Sequence, residues 1–101
     1  MKNLLTLAAC AAAALYSPWS LAQDAQLARN LAATCANCHG TDGKAKGAML
    51  ALAGYPADRL VATMADFKAG KRPATIMHQI SRGYSDAQVA LIAGYFAQQK
   101  P

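Results

Sequence analysis

Two cysteines and a histidine stand in one five-residue run, Cys35-Ala36-Asn37-Cys38-His39. Thiols at this spacing can each add to one of the two vinyl groups of a porphyrin, and the adjacent imidazole then lies beneath the iron as its proximal ligand. The C-x-x-C-H pattern therefore predicts one covalently attached haem c, with thioether bonds at Cys35 and Cys38 and iron ligation by His39.

Two other chemistries use the same residue types. A closed zinc site needs four nitrogen or sulfur ligands, and beyond the motif the chain offers only His78 and Cys10, the latter in a predicted export signal. A dithiol oxidoreductase carries its cysteine pair at the start of a helix that follows a strand, whereas this pair follows a helical pattern. Haem attachment is the favoured interpretation.

The ligand on the second face of the iron decides what such a haem does. A methionine thioether favours ferrous iron and leaves no open position for a substrate, which suits outer-sphere electron transfer. Met64 lies on the apolar stripe of a predicted helix, which indicates core packing. Met49 lies in a glycine-containing loop, whereas Met77 lies between Pro73 and a capped helix that brace it. Met77 is therefore the predicted distal ligand.

A second function class stays open because of His78, the neighbour of Met77. We interpret His78 as a surface imidazole, with a competing iron ligand as the alternative. A readily displaced sixth ligand would make the protein a haem-based ligand-binding or sensor protein. A haem peroxidase needs an open distal face with a polar acid-base group, for which His78 is the one nearby histidine. We predict an electron carrier and assign no catalytic residue.

The surrounding pattern predicts an all-α fold of short helices wrapped round the haem. A first helix over 24–34 leads into the motif, and residues 40–55 form a loop along one edge of the haem. A second helix begins at Pro56 and ends at Gly70. A short apolar stretch over 75–80 follows it.

The last helix starts with a capping box formed by Ser85 and Gln88. Its mid-helix Gly94 predicts a close crossing by the first helix near Leu27 and Leu31. The side of this helix that faces the core is predicted to carry Val89, Ile92 and Phe96.

The first 22 residues predict an export signal. Lys2 supplies the positive region, residues 4–15 the apolar region, and Ser20-Leu21-Ala22 a cleavage site. One domain over 23–101 would remain after cleavage, and we expect it in the periplasm. The apolar run is too short and broken for stable membrane insertion.

The net charge of the exported part is about +4 before the two haem propionates are counted. We expect a redox partner protein with an acidic docking surface, and no nucleic acid, although an ordinary solvated surface explains each basic cluster equally well. The basic residues near the motif and after the second helix are Lys44, Lys46, Lys68, Lys71 and Arg72.

The chain resembles the class I c-type cytochromes in Cys35 to Gly40, in the later Met77 and in the final Tyr95-Phe96 helix. Residues 67–77 and 83–86 resemble, more narrowly, the cytochrome subunit of flavocytochrome c sulfide dehydrogenases and the small cytochromes c-553. The resemblance implies the class I cytochrome c fold and His/Met ligation by His39 and Met77. It also implies electrons received from a sulfide-oxidising flavoprotein. The chain would be either a subunit of such a flavocytochrome or a free shuttle to a terminal oxidase or reductase.

The chain departs from the family at two positions. Relatives carry Gly-Pro after the haem motif, where the backbone accepts the N–H of the proximal histidine, and this chain has Gly47-Ala48. We expect the Gly47-Ala48 backbone to accept from His39 with less rigidity, which would tune the reduction potential. His78 replaces the small residue that relatives carry after the methionine.

Overall fold

The computed structural model describes residues 19–101, with side chains from residue 23 onward. That part of the chain contains helices and no strand, so the predicted all-α class is confirmed. Residues 1–18 of the predicted export signal lie outside the described residues. The elements are α1 (Trp19–Ala33), α2 (Ala36–His39), a 3-10 turn (Thr41–Gly43), α3 (Ala57–Lys68), α4 (Met77–Arg82) and α5 (Asp86–Ala97).

The core lies where α5 packs against α1 and α3. The predicted core side of α5 is confirmed, because Val89, Ile92 and Phe96 are all buried. Leu60 and Met64, one turn apart on α3, join the same cluster. Positions three or four residues apart share one face of a helix, so each helix buries a single stripe.

α1 meets α5 mainly through alanines, and of the two leucines that the sequence indicated only Leu31 packs against the core cluster. Ala28 and Ala32 are buried, whereas Leu27 is 47% exposed and Leu31 is half-buried. The predicted packing of the first helix on α5 is present. The predicted close approach at Gly94 is wrong, because among the described residues no atom outside its own helix would lie within 4 Å of a Cβ there. The small alanine side chains, and not the glycine, allow the close contact.

α3 ends in a Schellman motif. Gly70 has a positive φ of 74°, its N–H donates to the Phe67 carbonyl, and the N–H of Lys71 donates to the Asp66 carbonyl. Pro56 is the N-cap residue of α3 and not part of its first turn. The direction in which the chain leaves α3 is therefore set by its own backbone.

The predicted capping box at the start of α5 is present. The N–H of Ser85 donates to the Gln88 side chain at 2.9 Å, and the N–H of Gln88 donates to Ser85 Oγ at 3.2 Å. α4 ends just before this point, and its fully buried Ser81 donates to the carbonyl of His78 at 3.2 Å. The chain around Met77 is thus fixed on its C-terminal side. Within residues 19–101, no helix has the length and apolar character needed to cross a bilayer.

Candidate haem site

An apolar cavity of about 410 Å³ lies among α3, α4, α5 and the segment 40–55. Its wall brings together the four side chains that the sequence singled out, Cys35, Cys38, His39 and Met77. A cavity of this volume is within the usual range for a buried cofactor. Most of its other lining side chains are aliphatic or aromatic, among them Leu50, Leu52, Tyr55, Leu60, Phe67, Ile76, Ile80 and Ile92.

The C-x-x-C-H motif forms a helical turn of its own, whereas the sequence indicated only the end of the first helix. Cys35 is the N-cap of α2, and the N–H of His39 donates to the Cys35 carbonyl at 2.9 Å. Residues i, i+3 and i+4 of a helical turn share one face. Cys35, Cys38 and His39 therefore all reach the same cavity wall.

Neither motif cysteine forms a disulfide within the described residues, and Cys38 is exposed whereas Cys35 is half-buried. Burial raises the pKa of the Cys35 thiol above its usual value. A dithiol catalyst depends on the opposite, a cysteine whose pKa is lowered so that the thiolate can attack. The environment of Cys35 is therefore unfavourable to the dithiol interpretation.

The orientation of His39 is set by one hydrogen bond. Nδ1 of His39 lies 2.7 Å from the backbone carbonyl oxygen of Leu50. The prediction that the Gly47-Ala48 backbone accepts from His39 is wrong. The turn over residues 47–49 brings the carbonyl of Leu50 to the imidazole instead. A ring that donates from Nδ1 presents the lone pair of Nε2 to a metal.

The segment that carries Leu50 is anchored at two points. The carbonyl of Gly43 accepts from the N–H groups of Leu52 and Ala53, at 2.9 and 3.1 Å. The hydroxyl of Tyr95 on α5 donates to the carboxylate of Asp42, and this hydrogen bond raises the pKa of Tyr95. The His39 acceptor is thus tied to the core through backbone and side-chain contacts.

All three candidate methionines border the cavity. Met64 is buried and belongs to the core cluster, as the sequence predicted. Met49 is 46% exposed on the segment before α3, and Met77 is half-buried as the first residue of α4. The lining of the cavity alone does not select among them.

No family model matches the chain, whereas several curated proteins do. The chain is 36% identical over 66 residues to the "Cytochrome subunit of sulfide dehydrogenase" of Chlorobaculum tepidum, covering 65% of this chain and 60% of that protein. It is 40% identical over 80 residues to cytochrome c4 of Pseudomonas aeruginosa, covering 78% and 40%. Over 83 residues it is 32% identical to cytochrome c-554(548) of Halomonas halodenitrificans, covering 78% of this chain and 100% of the relative.

The chain belongs to the class I c-type cytochromes. Its all-helical fold agrees with that family, and the family resemblance drawn from the sequence is confirmed. Cytochromes of this class are electron carriers that hold haem c covalently, and this cytochrome is a haem c protein. It spans less than two thirds of the length of the sulfide dehydrogenase subunit and of cytochrome c4.

The residues of the cavity fit this cofactor on chemical grounds. Two thiols and an imidazole stand on one face of α2 at the wall of an apolar space. Haem c is a large apolar body that needs two thiol groups for attachment and a nitrogen ligand for its iron. The bond to Leu50 leaves Nε2 of His39 available for that role.

The structure gives little support to His78 as an iron ligand or to a closed zinc site. His78 is half-buried but is not among the side chains that line the cavity. Within residues 19–101, no three His, Cys, Asp or Glu side chains come together in a way that could hold a metal ion. A closed zinc site would need such a group.

A polar contact that the sequence analysis missed closes one side of the cavity. The hydroxyls of Thr34 and Tyr84 lie 2.7 Å apart, and both residues line the cavity. Nζ of Lys68 donates to the carbonyl of Tyr84 at 2.6 Å and lies 3.8 Å from the Asp86 carboxylate. The end of α1, the end of α3 and the α4–α5 connection therefore meet at Tyr84.

The basic residues divide into three kinds. Lys44, Lys46, Lys71 and Arg72 are exposed, whereas Lys68 is half-buried and hydrogen-bonded within the molecule. Arg72 lies with its guanidinium carbon 5.5 Å from the centre of the Phe67 ring and borders the cavity. Only part of the basic residues predicted near a docking face is free for steering.

Proposed function

We propose that this cytochrome transfers electrons through one haem c attached at Cys35 and Cys38, with His39 and Met77 as the axial ligands of its iron. The juxtaposition of these four side chains at one apolar cavity is the observation that carries the proposal. The bound haem supplies an iron that cycles between the ferric and ferrous states. The carbonyl of Leu50 orients His39, and Met77 would supply the second iron ligand when the haem is bound.

The proximal hydrogen bond argues against Met49 as the distal ligand. Met49 precedes Leu50, whose carbonyl oxygen lies 2.7 Å from Nδ1 of His39. Neighbouring Cα atoms are only about 3.8 Å apart, so Met49 is tied to the side of the cavity that holds the proximal imidazole. A distal ligand must approach the iron from the opposite face.

Packing argues against Met64. Its side chain lies on the buried stripe of α3, in the cluster that contains Leu60, Ile92 and Phe96. Moving it onto an iron would remove apolar contacts from the core. Met77 is outside the buried cluster and packs only against its edge, because it stands half-buried at the start of α4. The capped α5 that follows braces it.

The proposal is tested by replacing methionines in holoprotein matured with the cytochrome c attachment machinery. We expect Met77→Ala to abolish the far-red methionine-to-iron band and to let the ferrous protein bind carbon monoxide. Met49→Ala should keep the band and exclude carbon monoxide, and it serves as the matched control. The measurements are optical spectra of both redox states with and without carbon monoxide.

The opposite result for the two variants would assign the iron to Met49. Carbon monoxide binding by the unchanged protein would favour the alternative of a ligand-binding or sensor protein. A preparation without a reduced c-type spectrum would contradict attachment at Cys35 and Cys38.

We further propose that the protein is exported to the periplasm after cleavage near Ala22, and that a sulfide-oxidising flavoprotein is its electron donor. The name of the Chlorobaculum tepidum relative supports this donor, and the N-terminal sequence pattern supports export. The mass of the secreted holoprotein should correspond to a chain that begins at Gln23 plus one haem. A mass that includes residues 1–22 would contradict cleavage.

A further inference from the structure

Among the side chains that line the cavity, Arg72 alone carries a permanent charge. Its guanidinium group lies over the ring of Phe67, at 5.5 Å from the ring centre. Stacking on an aromatic face holds this planar group in place without neutralising its charge. In the described part of the chain, the ion pair found is Lys68 with Asp86, so Arg72 has no carboxylate partner there.

The position of Arg72 follows from the way in which α3 ends. The Schellman motif at Gly70 reverses the chain, and Pro73 restricts the backbone two residues after Lys71. Both side chains are exposed, but Arg72 borders the cavity whereas Lys71 does not line it. The two adjacent cations have different surroundings.

Haem c has an apolar body and two propionate carboxylates on one edge. On a largely apolar cavity wall, the stacked guanidinium is the one permanently charged group and offers a strong site for an anion. Arginine binds carboxylates through paired N–H donors, which gives such contacts both strength and direction. We propose that Arg72, seated on Phe67, binds a propionate of the haem and so sets the position of that edge. This inference rests on the proposed haem attachment.

A cation at the haem edge also favours the reduced iron, because it opposes the extra positive charge of the ferric state. Arg72→Gln should therefore lower the reduction potential and shift the propionate bending band in the resonance Raman spectrum. Lys71→Gln removes the same charge from an exposed residue that does not border the cavity, and should change the potential less and leave the band unchanged.

Arg72→Lys separates charge from geometry. A lysine keeps the positive charge but loses the planar stack and the paired donors. We expect the reduction potential of Arg72→Lys to lie closer to that of the unchanged protein than the potential of Arg72→Gln does. The propionate band of Arg72→Lys should still be shifted. A residue that only packed on Phe67 would alter stability in both Arg72 variants without moving the Raman band.

Equal potentials for Arg72→Gln and Lys71→Gln, with an unchanged propionate band, would overturn the assignment of Arg72. That outcome is distinguishable from failure of the proposed function. All variants would then still show a reduced c-type spectrum with the far-red methionine band, whereas loss of attachment or ligation would be visible in the unchanged protein.

Discussion

At the scale of the residue, the backbone carbonyls of Gly43 and Leu50 organise the proximal side of the cavity. Gly43 accepts two backbone N–H groups, and Leu50 accepts from His39. The glycine has a positive φ of 75°, and a Cβ there would lie 2.6 Å from the Ala53 nitrogen and 2.9 Å from Cδ1 of Phe96. No other residue type fits that position without displacing backbone.

Gly43→Ala should lower the free energy of unfolding by about 2 to 5 kcal/mol, because left-handed strain and overpacking add together. Gly70→Ala is the matched control, since Gly70 has a similar φ of 74° but no atom within 4 Å of an added Cβ among the described residues. It should cost about 1 to 2 kcal/mol. Denaturant unfolding of the ferric holoproteins measures both, and equal losses would show that crowding at Gly43 is unimportant.

At the scale of the element, α5 is the helix on which the others assemble. Its first turn is fixed by the capping box of Ser85, and its buried stripe meets both α1 and α3. The hydroxyl of Tyr95, on the same helix, donates a hydrogen bond to Asp42 in the 3-10 turn next to the haem motif. Stability of α5 therefore affects the core and the proximal segment together.

Gly94→Ala should stabilise the protein by about 0.5 to 1 kcal/mol, because a helical glycine loses more backbone entropy on folding than alanine. The space for the added methyl group is open among the described residues. Ala90→Gly, at an exposed position of the same helix, is the reverse control and should destabilise by a similar amount. Thermal unfolding followed by circular dichroism measures both, and a loss on Gly94→Ala would reveal an unrecognised neighbour.

At the scale of the whole molecule, the small core indicates a fold completed by its haem, and the positive charge indicates anionic redox partners. The described core contains few large side chains, and the apolar cavity lies beside it, so the cofactor supplies much of the apolar surface that the fold buries. The exposed Lys44 and Lys46 follow the haem motif on the segment that leads to the cavity wall. A positive field at this face would attract anionic redox partners.

The double variant Lys44→Gln/Lys46→Gln should slow oxidation of the ferrous protein by ferricyanide several-fold at low ionic strength, with the difference disappearing as salt is added. Arg59 on α3 and Lys100 after α5 are also exposed, and neither follows the haem motif or lines the cavity. The control Arg59→Gln/Lys100→Gln has the same net charge and should have a smaller effect. Stopped-flow rates over a range of ionic strength test this. Equal rates for the two double variants would mean that net charge, and not a local face, steers the reaction.

The sequence by itself determined the features that depend on near neighbours in the chain. The haem motif, the all-helical class, the glycine end of α3 and the capping box of α5 each follow from contacts within a few residues. Such contacts have the same geometry in any fold, because the helical repeat and the cap hydrogen bonds are local. The family resemblance was drawn from short motifs, and it is confirmed by the 83-residue match to the whole length of cytochrome c-554(548).

Only the tertiary structure decided which distant groups meet. The acceptor of His39 is Leu50 and not the Gly47-Ala48 backbone, Lys68 is bound to the Tyr84 carbonyl, and Arg72 borders the cavity. Each of these contacts depends on how a turn folds or how helices close round a common space. Periodicity reports which side of one helix is apolar but not what lies opposite, and loop residues have no period at all.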